Sequence, residues 1–260
     1  MSNTREEFNI LIENGWLTEV QAENFKSQKD IISAINSCTS PQKENIFNAL
    51  KRVKYNNIRV LILGKDPYPN PKDAHGLAFS SLNTTTPDSL KNIFKAIDSA
   101  YGSKLFEKGK NDLTKWTDQG VLLLNTGLTF EKVENNNLSK NELNSLQQST
   151  QRKHMKTWKP FVNEIIKKLL NITDRPLVFI LWGKDAHDIV FSNIVDKSFQ
   201  KYRYDRGVNI IPNTKIMILQ ASHPSPLSVN RGGDFPQIAP TQFLACNKHL
   251  GDNKVDWTII

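Results

Sequence analysis

The chain has 260 residues, which is enough for one large α/β domain with a sizeable core and requires no second domain. Its 34 Lys and Arg residues exceed its 26 Asp and Glu residues, and the formal net charge of +8 favours a polyanionic partner, nucleic acid above all. Two cysteines are too few for a metal site built on cysteine, and no apolar stretch is long enough to cross a bilayer. We therefore expect a cytoplasmic protein, in the host cytoplasm if the source is viral, with no metal, no other cofactor and no membrane partner.

The first 57 residues predict short helices, because Thr18 and Gln21 have the spacing of a capping box. Four continuous apolar runs then predict buried strands at residues 60–63, 121–124, 177–182 and 216–219. Helical spacing of apolar side chains predicts helices over 89–100 and 158–169. We expect a single α/β domain over 1–260, with an N-terminal helical segment over 1–57 and a central, mostly parallel four-stranded sheet flanked by helices.

Two stretches break this pattern. Residues 131–151 contain few apolar side chains and predict a polar insertion that is exposed or partly disordered. Residues 202–206 interleave aromatic and basic side chains, which suits a grip on single-stranded nucleic acid and equally suits a solvated strand or hairpin.

A polar loop follows each predicted strand. Because ligands bind outside the carboxyl ends of parallel strands, we expect these four loops to meet at one crevice. The side chains expected to converge there are Asp66, Asn125, Lys184 and His223. Taken alone, Asp66 is equally a turn carboxylate before proline, and His223 a loop imidazole satisfied by backbone.

Six segments in order resemble family 1 uracil-DNA glycosylases, and the resemblance extends over residues 58–257. The segments are 64–69 (GKDPYP), 74–80 (AHGLAFS), 87–94, 122–129, 181–183 and 223–228 (HPSPLS). The resemblance implies an enzyme that hydrolyses the glycosidic bond of deoxyuridine in DNA, releases uracil, leaves an abasic site and so begins base-excision repair. It also implies a monomer whose partner is DNA containing uracil, single- or double-stranded, and which a DNA-mimicking protein inhibitor can bind.

The resemblance assigns the catalytic roles to two residues. It implies that Asp66 orients the water and stabilises the cationic sugar, and that a neutral His223 donates to the uracil oxygen that gathers negative charge. The remaining uracil-binding residues would be Lys65, Tyr68, Phe79 and Asn125. Asn125 would read the base edge, Tyr68 would face C5, where thymine carries a methyl group, and Phe79 would stack on the flipped base. Phe79 in an apolar run is otherwise simple core.

The DNA-binding residues implied by the resemblance lie in three loops. They are Pro87, Asp88, Ser89, Gly183, Lys184, Ser225, Leu227 and Ser228. Leu227 would fill the space that the flipped nucleotide leaves. The other residues would hold the phosphate backbone.

The chain departs from the family pattern at Lys65, Pro69 and Lys184, where the family usually has Gln, His and Ser. The two lysines add positive charge beside the DNA. Two alternatives to the enzyme stay open at this point. One is a catalytically weak relative acting as a DNA-binding or replication-associated module, and the other is a glycosylase for another modified pyrimidine.

Overall fold

The structure is a computed structural model that describes residues 2–105, 109–135, 137–203, 205, 207–212 and 214–260, with side chains from Glu6 onward. Its strands are β1 (Val60–Gly64), β2 (Val121–Asn125), β3 (Leu177–Trp182), β4 (Gly207–Ile210) and β5 (Ile216–Ala221). They form one sheet of order β2-β1-β3-β5-β4. The first four strands in that order are parallel, and β4 pairs antiparallel with β5 at the edge.

The predicted α/β class and the four predicted strands are confirmed, and all four are buried along their length. The expectation of a four-stranded sheet was wrong, because the sheet has a fifth strand, β4. That strand is short, and its two apolar side chains, Val208 and Ile210, are each 53% exposed. An edge strand covered on one side leaves no continuous apolar run to recognise in the sequence.

Helices cover both faces of the sheet. They are α1 (Ser2–Glu13), α2 (Glu19–Ser27), α3 (Lys29–Asn36), α4 (Asn48–Arg52), α5 (Asp88–Tyr101), α6 (Thr114–Thr117), α7 (Lys140–Leu170), α8 (Lys184–Phe191), α9 (Pro226–Val229) and α10 (Phe235–Leu250). Short 3-10 turns lie at Lys43–Asn45, Tyr55–Asn57, Lys197–Tyr202 and Gly251–Asn253. The predicted capping box of Thr18 and Gln21 is present at the start of α2. Among the described residues, no helix is both long and apolar enough to span a membrane.

The long helix α7 contains part of the predicted polar insertion at residues 131–151. Its first turns occupy positions 140–151, so this part of the predicted exposed or partly disordered stretch is an ordered helix, although most of its side chains are exposed. A second capping box starts the helix, because Ser139 accepts from the backbone of Glu142 while the Glu142 side chain accepts from the backbone of Ser139. Further along, α7 buries Trp158, Phe161 and neighbouring apolar side chains in the core.

Candidate active site

The loops that follow β1, β2, β3 and β5 meet at the carboxyl edge of the sheet, as predicted. A cavity of about 210 Å³ opens there. All six predicted uracil-binding residues line it, namely Lys65, Asp66, Tyr68, Phe79, Asn125 and His223. A second cavity of about 260 Å³ adjoins the first through Gly64, Lys65 and His223, and Gly183, Lys184 and Ser225 line it.

The loop after β1 is tied to the loop after β2 by its backbone. Thr126 donates from its backbone N–H to the carbonyl of Gly64 over 2.9 Å and from its hydroxyl to the carbonyl of Lys65 over 2.8 Å. Gly127 also donates to the carbonyl of Lys65, over 2.9 Å. Strands β1 and β2 pair with Gly64 opposite Asn125. The bonds therefore fix the position of Asp66 relative to Asn125.

Asp66 lines the cavity and has a buried carboxylate oxygen. Its Oδ2 atom is inaccessible to solvent and, among the described residues, receives no hydrogen bond. Burial raises the pKa of Asp66 to about 6, the charge of Asp185 raises it further, and Lys65 opposes both effects. An unsatisfied buried carboxylate with a raised pKa in a cavity is typical of a functional group rather than a turn residue.

His223 is held as one tautomer of its neutral form. The backbone N–H of Ser225 donates to Nδ1 of His223 over 3.0 Å, so the proton of the neutral ring lies on Nε2. Burial lowers the pKa of His223, the negative charge of Asp185 raises it, and the positive charge of Lys65 lowers it. At neutral pH the ring is therefore an uncharged donor from Nε2.

Asn125 lies at the buried end of β2, with 5% of its surface exposed. Among the described residues, its side chain makes no hydrogen bond within the protein, although it is held close against the backbone of Gly64. A Cβ atom added at Gly64 would lie 2.2 Å from Oδ1 of Asn125, so only glycine leaves room for the amide in this position. An amide with both its donor and its acceptor unused at a cavity wall is free to bind a ligand that offers the complementary pair.

Tyr68 and Phe79 form an aromatic wall. The Tyr68 hydroxyl donates to the carbonyl of Phe79 over 3.0 Å, and burial raises the pKa of Tyr68 above its ordinary value. The Phe79 ring lies 5.9 Å from His223 and 5.6 Å from Trp182, between centroids. Phe79 adopts φ of +64°, a conformation that costs a non-glycine residue on the order of 1–3 kcal/mol and that marks functional sites.

The start of α5 brings one of its three predicted residues to the main cavity. Ser89 lines the cavity, Pro87 is the N-cap of α5, and the Asp88 carboxylate pairs with Lys91 over 2.9 Å. Asn92 on α5 donates to the carbonyl of Pro224 over 2.7 Å, which joins this helix to the loop that carries His223.

The loop after β3 turns sharply at Gly183, whose φ is +90°. A Cβ atom there would lie 3.0 Å from Cβ of His223, so glycine allows these two loops to approach. Lys184 is exposed and forms an ion pair with Asp188 one turn along α8. Its predicted phosphate contact stays a prediction.

The last loop projects Leu227 into solvent. The leucine lies on the short helix α9 with 63% of its surface exposed, so it contributes little to the core. Ser225 is the N-cap of α9 and accepts from the backbone of Ser228 over 3.0 Å. Gly233 in turn donates to the carbonyl of Ser228 over 2.9 Å, which braces the projection.

Among the site residues that the sequence predictions missed are Phe130, Gln151 and Asp185. Phe130 and Gln151 line the main cavity, and Asp185 acts on the pKa of both predicted catalytic residues. Asp185 could have been predicted from the sequence, because an acidic residue directly after Gly183-Lys184 lies near the carboxyl ends of the neighbouring strands. Gln151 could not have been predicted in this way, because the polar stretch around it shows no helical periodicity of apolar residues.

Two further sequence predictions concern residues outside this cavity. Of residues 202–206, Tyr204 and Arg206 lie outside the described residues, while Arg203 pairs with Asp188 over 3.0 Å. A grip on single-stranded nucleic acid there stays a prediction. Within the described part of the chain, no cluster of three or more His, Cys, Asp or Glu side chains could hold a metal ion.

Comparison with known proteins assigns this fold and cavity to a family. The family model described as the uracil DNA glycosylase superfamily matches residues 50–251. The chain is 34% identical over 258 residues to the uracil-DNA glycosylase of Bacillus cereus (strain AH187), and 37% identical over 258 residues to that of Clostridium beijerinckii. Each alignment covers 96% of this chain and 97% of the relative. The chain therefore belongs to the uracil-DNA glycosylase superfamily.

Solved structures show the same fold. The uracil-DNA glycosylase of mimivirus superimposes with a TM-score of 0.63 at 22% identity, covering 93% of this chain and 86% of that one. UNG from Nitratifractor salsuginis gives a TM-score of 0.55 at 18% identity, covering 91% of this chain and 94% of that one.

Proposed function

We propose that the protein removes uracil from DNA by the family 1 route, hydrolysing the N-glycosidic bond of deoxyuridine to release uracil and leave an abasic site. One observation carries this function. A single cavity at the carboxyl edge of the sheet holds Asp66, Asn125 and His223. Among the described residues, Oδ2 of Asp66, the amide of Asn125 and the Nε2–H of the neutral His223 ring have no hydrogen-bond partner.

Breaking the glycosidic bond sends positive charge to the sugar and negative charge to the departing base. A carboxylate in a low-dielectric cavity stabilises the first charge, and a hydrogen-bond donor at the uracil oxygen stabilises the second. With a pKa of about 6, Asp66 is ionised at neutral pH and can also orient the attacking water. His223 donates from Nε2 without first having to lose a proton.

The choice of base follows from Asn125 and Tyr68, which line the same cavity. The amide of Asn125 can accept from N3 of uracil and donate to O4, while cytosine presents the opposite pattern. Leaving both groups mispaired in a buried site costs about several kcal/mol, which is enough to reject cytosine. Tyr68 is fixed by its bond to the Phe79 carbonyl, and we assign it the wall that excludes the methyl group of thymine.

A base inside a duplex cannot reach this cavity, so the nucleotide must be extruded. The exposed Leu227 on its braced loop is suited to enter the gap in the base stack. Ser89 lines the first cavity and Gly183 and Ser225 line the second, and the two serine hydroxyls are donors for phosphates. The net charge of +8 favours the approach of DNA.

The test uses oligonucleotides that are matched in length and sequence and carry uracil, thymine, cytosine or hydroxymethyluracil at one position. After incubation with the purified protein, alkali cleaves any abasic site. We expect cleavage only of the uracil strand. DNA binding without cleavage would favour the DNA-binding module, and cleavage of the hydroxymethyluracil strand alone would favour another modified pyrimidine.

We further propose that the protein acts as a monomer in the cytoplasm and that a DNA-mimicking protein can block its cavity. A solved structure of a mimivirus UNG variant in complex with UGI, 24% identical to this chain with a TM-score of 0.60, supports the proposal of an inhibitor. Uracil release titrated with UGI tests it, and a rate unchanged at micromolar UGI would contradict it. Light scattering of the free protein tests the monomer.

A further inference from the structure

One face of α7 changes from apolar to polar side chains where the helix reaches the cavity. From Trp158 onward, positions spaced by three and four residues pack on the sheet, with Trp158, Val162, Ile165 and Leu169 fully buried. Continued toward the start of the helix, the same spacing passes through Met155 and then meets only amide side chains. We call these the amide stripe: Asn141, Asn144, Gln148 and Gln151.

The amide stripe begins at the cavity and leads away from it. Gln151 lines the cavity, and Met155 packs beside Gly127 in the loop after β2. From Gln151 to Asn141 the helix rises about 15 Å at about 1.5 Å per residue. That length corresponds to about four nucleotides of one DNA strand, spaced about 3.4 Å apart. Asn141, Asn144 and Gln148 are exposed.

A neighbouring row of side chains on α7 holds this projection in place. Gln147 donates to the carbonyl of Glu131 over 2.9 Å and accepts from the backbone of Val133 over 2.9 Å. Two turns further, His154 lies 3.0 Å from the Glu131 carboxylate and 2.8 Å from the Thr129 hydroxyl. The helix is therefore anchored to the segment after β2 without using the amide stripe.

The amides of the stripe are available to a ligand. Among the described residues, Asn141, Asn144 and Gln151 make no side-chain hydrogen bond, and Gln148 accepts only a long one, 3.5 Å from Arg152. Each amide carries both donors and an acceptor, which suits phosphate oxygens, sugar oxygens and base edges alike.

We propose that the amide stripe contacts the DNA strand that leaves the cavity beside the flipped nucleotide. The proposal rests on the proposed function, because it takes DNA as the occupant of the cavity that the stripe continues. The contact is uncharged, so it releases no counterions and strengthens binding equally at every salt concentration.

The experiment compares Asn144→Ala/Gln148→Ala with Ser145→Ala/Ser149→Ala, a control pair of exposed side chains on the same turns but outside the stripe. Each protein is given two single-stranded substrates, a trinucleotide with central uracil and an oligonucleotide with about eight nucleotides on each side. We expect the ratio of kcat/KM for the long substrate to that for the trinucleotide to fall about tenfold in the stripe variant and to stay within about twofold in the control. The slope of log Kd against log salt should not change in either.

Alanine has a high helix propensity, so none of the four substitutions in the two variants should disturb α7. Circular dichroism verifies that both variants fold. An unchanged ratio in the stripe variant, or an equal loss on both substrates, would overturn the proposal. If the wild-type protein released uracil from neither substrate, the proposed function would fail instead. The stripe would then be tested by Kd for a long oligonucleotide without uracil, where equal values for variant and wild type would overturn it.

Discussion

A Cβ atom on Gly64 would lie 2.2 Å from Oδ1 of Asn125, so the last residue of β1 leaves space for the amide at the end of β2. We expect Gly64→Ala to displace Asn125 and to lower kcat/KM on uracil by at least about a hundredfold, while overpacking costs about 1–3 kcal/mol of stability. Single-turnover kinetics and urea unfolding measure the two effects. Gly102→Ala is the control for the kinetics alone, because its Cβ would meet nothing within 4 Å, while its φ of +64° means that alanine there also costs stability. A Gly64→Ala protein with wild-type kinetics would show that Asn125 is not the base-reading group.

Asp66 makes the protein less stable at neutral pH. Its pKa is about 6 in the folded state against an ordinary 3.8, so the folded state binds the proton more tightly and stability falls as pH rises between about 4 and 6. We expect Asp66→Asn to raise the free energy of unfolding at pH 8 by roughly 2–3 kcal/mol. The gain should disappear at pH 4 and below. Urea unfolding of both proteins at pH 8 and pH 4 measures this, and an equal effect at both pH values would show that the carboxylate is not desolvated.

The pH below which activity is lost should depend on the charges around the cavity. Activity requires Asp66 ionised and His223 neutral, so kcat/KM should fall below about pH 6. Asp185 raises both pKa values and Lys65 lowers both. Asp185→Asn should therefore move the acid limb to lower pH, and Lys65→Gln should move it to higher pH.

The pH profile of kcat/KM for the two variants is measured beside that of Lys248→Gln, a substitution on α10 whose charge does not act on Asp66. Limbs that move in the same direction for Asp185→Asn and Lys65→Gln would contradict this electrostatic account.

Leu227 is 63% exposed, so its removal should not weaken the core. We expect Leu227→Ala to keep its melting temperature and to lose activity on duplex uracil by about tenfold more than on single-stranded uracil, because only a duplex leaves a gap to fill. Rates on both substrates and the melting temperature are taken from one preparation. Equal losses accompanied by a lower melting temperature would make Leu227 a structural residue.

Much of this architecture was predictable because buried parallel strands leave an unambiguous trace. The runs at Val60–Gly64 and Leu177–Trp182 are apolar throughout, and the polar residues after them had to meet at one edge. Strand β4 was not predictable in this way, because an edge strand with exposed Val208 and Ile210 lacks such a run.

The length of α7 was missed for a related reason. Its first three turns project beyond the core, where no apolar periodicity is needed, and only the capping box of Ser139 and Glu142 marked the start. Gln151 was missed as a cavity residue for the same reason. Interactions between segments distant in sequence, such as the approach of Gly64 to Asn125 or the influence of Asp185 on His223, depend on distances that a sequence pattern does not contain.

The central claim is that Asp66 acts on the transition state of glycosidic bond cleavage. It is tested most directly by the single-turnover rate of uracil release from one oligonucleotide by Asp66→Asn, measured together with the Kd for that oligonucleotide. Because the carboxylate stabilises charge that develops only in the transition state, we predict a rate lower by orders of magnitude and a Kd within a few-fold of wild type. A rate near that of the wild type would contradict the account, and so would a loss confined to Kd.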